Sequence, residues 1–248
     1  MEFQLTEFQN KIQSSLSSIY LFYGEEDYLV SVALGAIENQ VLTPEARDFN
    51  YDVFYGRETP VSQILDVSET LPMMSTNRLV VVKNVDKWKE EDWKIFENYI
   101  QDPLDSTVLV FLAKAVDRRK KIYKTLLSQA ECLEFKKLYD NQVPQWISYM
   151  VNKMEVGIEK EAVTLLHQLV GNSLAELQSE LTKLSQFIGG RKKISIKDII
   201  EVVSKIKVQS VFDLSRAIGE SDKAKALLCL SHLLAHGQNT VGILALVS

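Results

Sequence analysis

Residues Ile19-Tyr20-Leu21-Phe22-Tyr23-Gly24-Glu25-Glu26-Asp27-Tyr28-Leu29-Val30-Ser31 decide how the rest of the chain is read. Ile19 to Tyr23 is an unbroken apolar and aromatic run of strand length. Gly24 ends it, and from Asp27 to Gln40 the residues Leu29, Val30, Ala33, Leu34 and Ile37 recur at helical spacing. A strand, a tight turn and a helix in succession open a parallel α/β unit. In such a unit the first strand-to-helix turn is where a phosphate binds.

The pattern repeats downstream. Phe49 to Tyr55 reads as a second strand, and Val61, Ile64 and Leu65 mark the helix after it. Arg78 to Lys83 is a third strand, whose run Leu79-Val80-Val81-Val82 suits burial on both faces. Trp88 to Tyr99 is helical, Thr107 to Leu112 is a fourth strand, Lys120 to Leu127 is helical, and Cys132 to Phe135 is a short fifth strand. Five parallel strands with crossover helices make a doubly wound α/β domain over residues 1–140. The first twenty residues show only an amphipathic scatter.

Beyond Phe135 the strand patterns stop. Val143–Lys153, Glu159–Val170, Ser173–Gly189 and Ile196–Val203 all carry helical periodicity, giving a small all-α unit over 141–208. Gly189-Gly190 stops its third helix, and Ser195 with Asp198 three residues on caps the fourth. Residues 209–248 begin another all-α domain, with Phe212, Leu214, Ala217 and Ile218 at helical spacing. Its last stretch, Val241 to Val247, is an uncovered apolar run, so a helical domain is expected to continue past Ser248.

The bulk numbers exclude several classes. The chain has 248 residues, 46% hydrophobic and 25% charged, the balance of a folded globular protein. Its formal net charge of -5 offers no global attraction to nucleic acid, so any DNA contact has to be local. Cys132 and Cys229 are too few for a disulfide framework. His232 and His236 are spaced i, i+4, but with Ser231 and Ala235 around them and no HExxH glutamate a solvated helix face is the better reading. There is no leader pattern and no membrane-length apolar run, so a cytoplasmic location is expected.

The phosphate turn itself lacks its chemistry. A triphosphate site needs GxxxxGK(S/T), whose amides, lysine and hydroxyl hold the phosphates and their metal. Here one glycine remains, the lysine is missing, and Glu25, Glu26 and Asp27 face the positive end of the helix, where they repel a polyphosphate. The third strand runs into Lys83-Asn84 rather than metal-binding acids, and Asp86 is displaced from that position. No catalytic residue, cofactor or metal is expected.

Two other segments stand out. In Leu71-Pro72-Met73-Met74 the proline disfavours helix at Leu71, so the preceding helix ends and a loop follows. Its methionines either fold back to plug the sheet edge or present thioethers to a shallow apolar pocket on a partner. Arg118-Arg119-Lys120-Lys121 is a dense basic cluster that either touches phosphates or simply solvates a helix start. Trp88, Trp93 and Tyr99 are expected to be core rather than a stacking platform.

With these residues in place, the chain resembles the delta subunits of bacterial DNA polymerase III clamp loaders. The resemblance rests on Tyr20 to Val30, on Leu71 to Val82, on Val116 to Lys124 and on Val211-Phe212-Asp213-Leu214, in that order along nearly the whole chain. It implies an AAA+ module: a RecA-like domain, a small lid and a collar that joins a five-membered ring with delta prime and tau/gamma subunits. It further implies a non-catalytic subunit of the polymerase holoenzyme that binds the sliding clamp (the beta subunit) and opens it for loading onto primed DNA. The residues matching the family's clamp-binding element are Leu71, Pro72, Met73 and Met74, with Met where the family often shows an aromatic. Arg118, Arg119, Lys120 and Lys121 are the candidate DNA contacts. The alternatives are an active AAA+ ATPase and a stand-alone DNA-binding protein.

Overall fold

The computed structural model describes residues 2–203 and 214–235. They fall into two compact units, Met1–Lys137 and Leu138–Ser248.

The first unit is built on five parallel strands: β1 (Ile19–Gly24), β2 (Tyr51–Tyr55), β3 (Arg78–Lys83), β4 (Thr107–Ala113) and β5 (Glu131–Phe135). Their order in the sheet is β2-β3-β4-β1-β5, so the chain moves outward to one edge and then crosses back past β1. Alternation along β1 splits the side chains between two faces. Ile19, Leu21 and Tyr23 join Val80, Val82, Leu109 and Phe111 in the core beneath α4 (Val61–Ser68), α5 (Glu90–Gln101) and α6 (Lys121–Gln129). Tyr20 and Phe22 point to the other face, where Phe8 of α1 (Glu2–Ser14) meets both rings edge-on at 5.9 and 5.5 Å. The helix α2 (Asp27–Val41) also packs on this face through Leu29, Ala33 and Ile37. Helices on both faces make the sheet doubly wound, as its continuous apolar strands require.

Three details differ from the sequence reading. The first residues form α1, with Leu5, Phe8 and Ile12 buried. Phe49 belongs to a short helix, α3 (Arg47–Asn50), and β2 starts only at Tyr51, because the amide of Phe49 turns back to the carbonyl of Ala46. Trp88 is extended and precedes α5, separated from β3 by a 3-10 turn at Val85–Lys87. Trp88 and Trp93 nevertheless pack against Phe111, and with Tyr99 they are core residues as expected.

The second unit contains α7 (Val143–Lys153), α8 (Lys160–Val170), α9 (Leu174–Ile188) and α10 (Ile196–Val202). Ser173 caps α9 by accepting the amide of Glu176, and Gly189 ends the helix at φ 57°. Ser195 and Asp198 form a full capping box on α10. Asp198 is buried and accepts the Arg191 guanidinium at 3.2 and 2.8 Å, which holds its carboxyl down at about 2. Besides helices the unit has a two-residue parallel pair, Gly157–Ile158 with Lys193–Ile194, too short to leave a periodic trace in the sequence. Further helix follows at 214–219 and at Lys223–Ala235. Val211, Phe212, Asp213, His236 and the apolar run Val241–Val247 lie outside the described residues. Among the described residues no helix is long and apolar enough to cross a membrane.

Candidate functional site

At the phosphate turn, Gly24 sits at φ 135°, and a Cβ placed there would lie 2.0 Å from the carbonyl oxygen of Phe135 on β5. Only glycine fits against that carbonyl. The next amides are turned to the protein's own acceptors. The N–H of Glu26 donates to the Phe135 carbonyl at 3.1 Å, and the Glu26 carboxylate caps α2 by accepting the N–H of Tyr28 at 3.3 Å. Partial burial raises the pKa of the Glu26 carboxyl, opposed by the Tyr28 amide. Asp27 forms an ion pair with Lys114 at the end of β4. The amides of Glu26 and Tyr28 are thus satisfied internally, and Lys114 is paired with a neighbouring acid. Glu25, the remaining acid, is exposed.

The end of β3 carries no metal-binding acid either. Asn84 takes the left-handed conformation at φ 61°, which redirects the chain into the 3-10 turn. Asp86 accepts the amide of Lys114 at 3.2 Å and pairs with Lys87 at 3.1 Å. Among the described residues no group of three or more His, Cys, Asp or Glu side chains could hold a metal ion. His167 is engaged with the Asn172 carboxamide at 2.7 Å.

The loop over 69–77 has the opposite character. It leaves α4 after Ser68 and enters β3 at Arg78, and its apolar side chains face outward: Leu71 is 71% exposed, Met73 52% and Met74 87%. Pro72 is half-buried. Met74 holds φ 53°, a left-handed value that a side chain of this size rarely adopts. Beneath the loop lies Asn50, fully buried, a residue that sequence reading passed over as part of β2. Its Oδ1 accepts the N–H of Met73 at 2.7 Å, and its Nδ2 donates to the carbonyls of Met73 at 2.7 Å and Ala46 at 2.9 Å. The only local signal was a carboxamide in an otherwise apolar run; its partner stands 23 residues away.

The basic cluster is exposed at the start of α6 and shares its charge with the chain's own acids. Arg118 donates to the Tyr23 hydroxyl at 2.9 Å and lies 3.5 Å from Glu134. Arg119 donates to Asp117 at 2.9 and 3.1 Å, which holds that carboxyl down at about 2. Lys121 donates to Glu97 at 2.8 Å. Lys120 is the exposed N-cap residue of α6.

Comparison with known proteins adds the following. A family model described as DNA polymerase III, delta subunit, matches residues 20–136. The DNA polymerase III subunit delta of Bacillus subtilis (strain 168) is 32% identical over 240 residues, covering 93% of this chain and 69% of that protein. The probable DNA polymerase III subunit delta of Aquifex aeolicus (strain VF5) is 22% identical over 242 residues, covering 93% of this chain and 67% of its own length. Among solved structures, the Bacillus subtilis DNA clamp loader delta protein matches with a TM-score of 0.75 and 30% identity, covering 100% of this chain and 75% of that one.

Proposed function

Because the chain belongs to the DNA polymerase III delta-subunit family, we propose that it acts without hydrolysing ATP, binding the ring-shaped sliding clamp through Leu71, Pro72, Met73 and Met74 and holding one ring interface open. The observation that carries this reading is the outward apolar loop over 69–77 on a buried polar base. Burying a Leu or Met side chain contributes ~1.5 to 3 kcal/mol, so three anchors supply ~4.5 to 9 kcal/mol toward an association that costs ~4 to 15 kcal/mol, and the rest of the interface makes up the difference. Opening a ring needs more than affinity: it needs tighter binding to the open ring than to the closed one, and the shift cannot exceed that difference. A loop fixed to a rigid sheet supplies such a difference, since it fits one geometry of the partner's surface better than another.

In this reading, residues 1–140 are the RecA-like domain, 141–208 the lid, and 209–248 the start of the collar that joins delta prime and tau/gamma subunits. The motor subunits supply the ATP chemistry, which the closed turn at Gly24 to Asp27 does not favour here. Arg118, Arg119, Lys120 and Lys121 contribute at most a secondary contact to primed DNA in the assembled loader, since Glu134, Asp117 and Glu97 compete with phosphates for three of them. The test is native mass spectrometry of the chain mixed with the sliding clamp and no nucleotide. A stable complex is expected, lost in the Met73→Ala, Met74→Ala double variant; a complex indifferent to that double change refutes the loop assignment.

A further inference from the structure

We propose that Asn50 is a positioning residue of the partner-binding loop, a buried clasp that sets Leu71, Met73 and Met74 outward before any partner arrives. The inference rests on the reading that this loop binds the clamp.

The loop is tied at both ends by its own neighbours. On the α4 side, the amides of Glu69 and Thr70 donate to the carbonyls of Leu65 and Val67. On the β3 side, the amide of Arg78 donates to the carbonyl of Ser106, and the Asn77 carboxamide donates to the carbonyl of Asp105. Among the described residues, the hydrogen bonds that reach the middle of the loop from elsewhere come from Asn50. They take both backbone groups of Met73, so one buried side chain imitates the pairing that a strand would offer. The same carboxamide also holds the Ala46 carbonyl, which fixes Asn50 to the turn that begins α3.

Two further features of the loop accord with this fixation. Met74 is held at φ 53°, a conformation that a loop free to relax would leave. Met73 is anchored by its backbone while its side chain remains half out in solvent, so the hydrogen bonds position the chain and do not bury the thioether. A carboxamide is the fitting group for this task. It is donor and acceptor at once and carries no charge, whereas a carboxylate would face two carbonyls and an apolar residue would leave the Met73 amide and carbonyl without this partner.

The expected consequence is kinetic. When only a fraction of the loop is in the competent conformation, apparent affinity falls by that fraction, while the contacts made in the complex are unchanged. Asn50→Ala should therefore slow association with the sliding clamp by about tenfold and leave dissociation within about twofold of the parent. Met73→Ala with Met74→Ala removes contacts and should act mainly on dissociation. Rates of binding to immobilised clamp, measured well below the unfolding midpoint of each variant, separate the cases. If Asn50→Ala associates at the parent rate while the methionine double variant loses binding, the clasp is wrong and the loop assignment stands. If the double variant binds like the parent, both fail. Should Asn50→Ala not fold, amide hydrogen exchange on the unmodified chain decides: the Met73 amide should exchange at least about tenfold more slowly than an unstructured amide, and unprotected exchange there overturns the proposal.

Discussion

The turn at Gly24 to Asp27 and the loop over 69–77 lie at opposite ends of the same parallel sheet, and they handle their exposed groups in opposite ways. The turn follows the carboxyl end of β1 and pairs its polar groups with the protein's own partners, at the Phe135 carbonyl, the amide of Tyr28 and the exposed Lys114. The loop precedes the amino end of β3 and directs its apolar groups outward. Where a phosphate site keeps unsatisfied amides ready for a ligand, the amides of Glu26 and Tyr28 are already satisfied; where an ordinary α/β loop is polar, the loop over 69–77 is apolar and tied at Met73. If the closed end serves stability and the open end serves the proposed clamp contact, a substitution at one should leave the other's property intact.

The sharpest way to break that division is the Met73→Ala, Met74→Ala double variant. Losing two buried anchors of ~1.5 to 3 kcal/mol each should weaken clamp binding on the order of 10² to 10⁴-fold, read by titration, with an unchanged thermal midpoint. The converse change is Gly24→Ala. A methyl group against the Phe135 carbonyl at a positive φ should cost about 2 to 3 kcal/mol in urea unfolding, and clamp binding by the folded fraction should stay as before. A Gly24→Ala variant whose folded fraction lost clamp binding would show that the two ends are coupled.

Neutralising Arg118, Arg119, Lys120 and Lys121 in the assembled loader tests whether a third region takes part. Each phosphate contact removed should lower the slope of log affinity for DNA against log salt by about 0.9, and an unaltered slope would assign the cluster to solvation alone. The smallest effect is expected at Glu26. Burial raises its folded carboxyl pKa above the ordinary 4.5, so from 4.5 upward the folded chain holds more protons than the unfolded one. Its contribution to stability is therefore greatest below 4.5 and declines as pH rises through the raised value. Glu26→Gln keeps the acceptor for the Tyr28 amide and removes that decline, so its urea midpoint at neutral pH should equal or slightly exceed the parent's.

Much of the fold was legible because its signals are local. The runs Leu79-Val80-Val81-Val82 and Val108-Leu109-Val110-Phe111 are continuous enough to mark strands covered on both faces. The α1 helix escaped because Leu5, Phe8 and Ile12 are separated by Thr6, Glu7 and Gln9 to Lys11, a stripe too narrow to stand out without the sheet that covers it. At the candidate site, the closed phosphate turn was readable from Glu25-Glu26-Asp27, since charge and spacing sit in one segment. The reason Gly24 is glycine was not, because the obstructing atom belongs to Phe135 on another strand. Asn50 was missed for the same reason: the groups that give it meaning, the backbone of Met73, are near it only after β2 and β3 have paired.

The contact between Gly24 and Phe135 also bears on how readily nucleotide binding could be built into this chain. Introducing a lysine and a second glycine after β1 would supply the letters of a triphosphate motif, yet the amide of Glu26 would still be bonded to β5 and withheld from a phosphate. A protein engineer seeking nucleotide binding here would have to shift β5 as well as rewrite the turn, because the acceptor that holds the Glu26 amide belongs to Phe135.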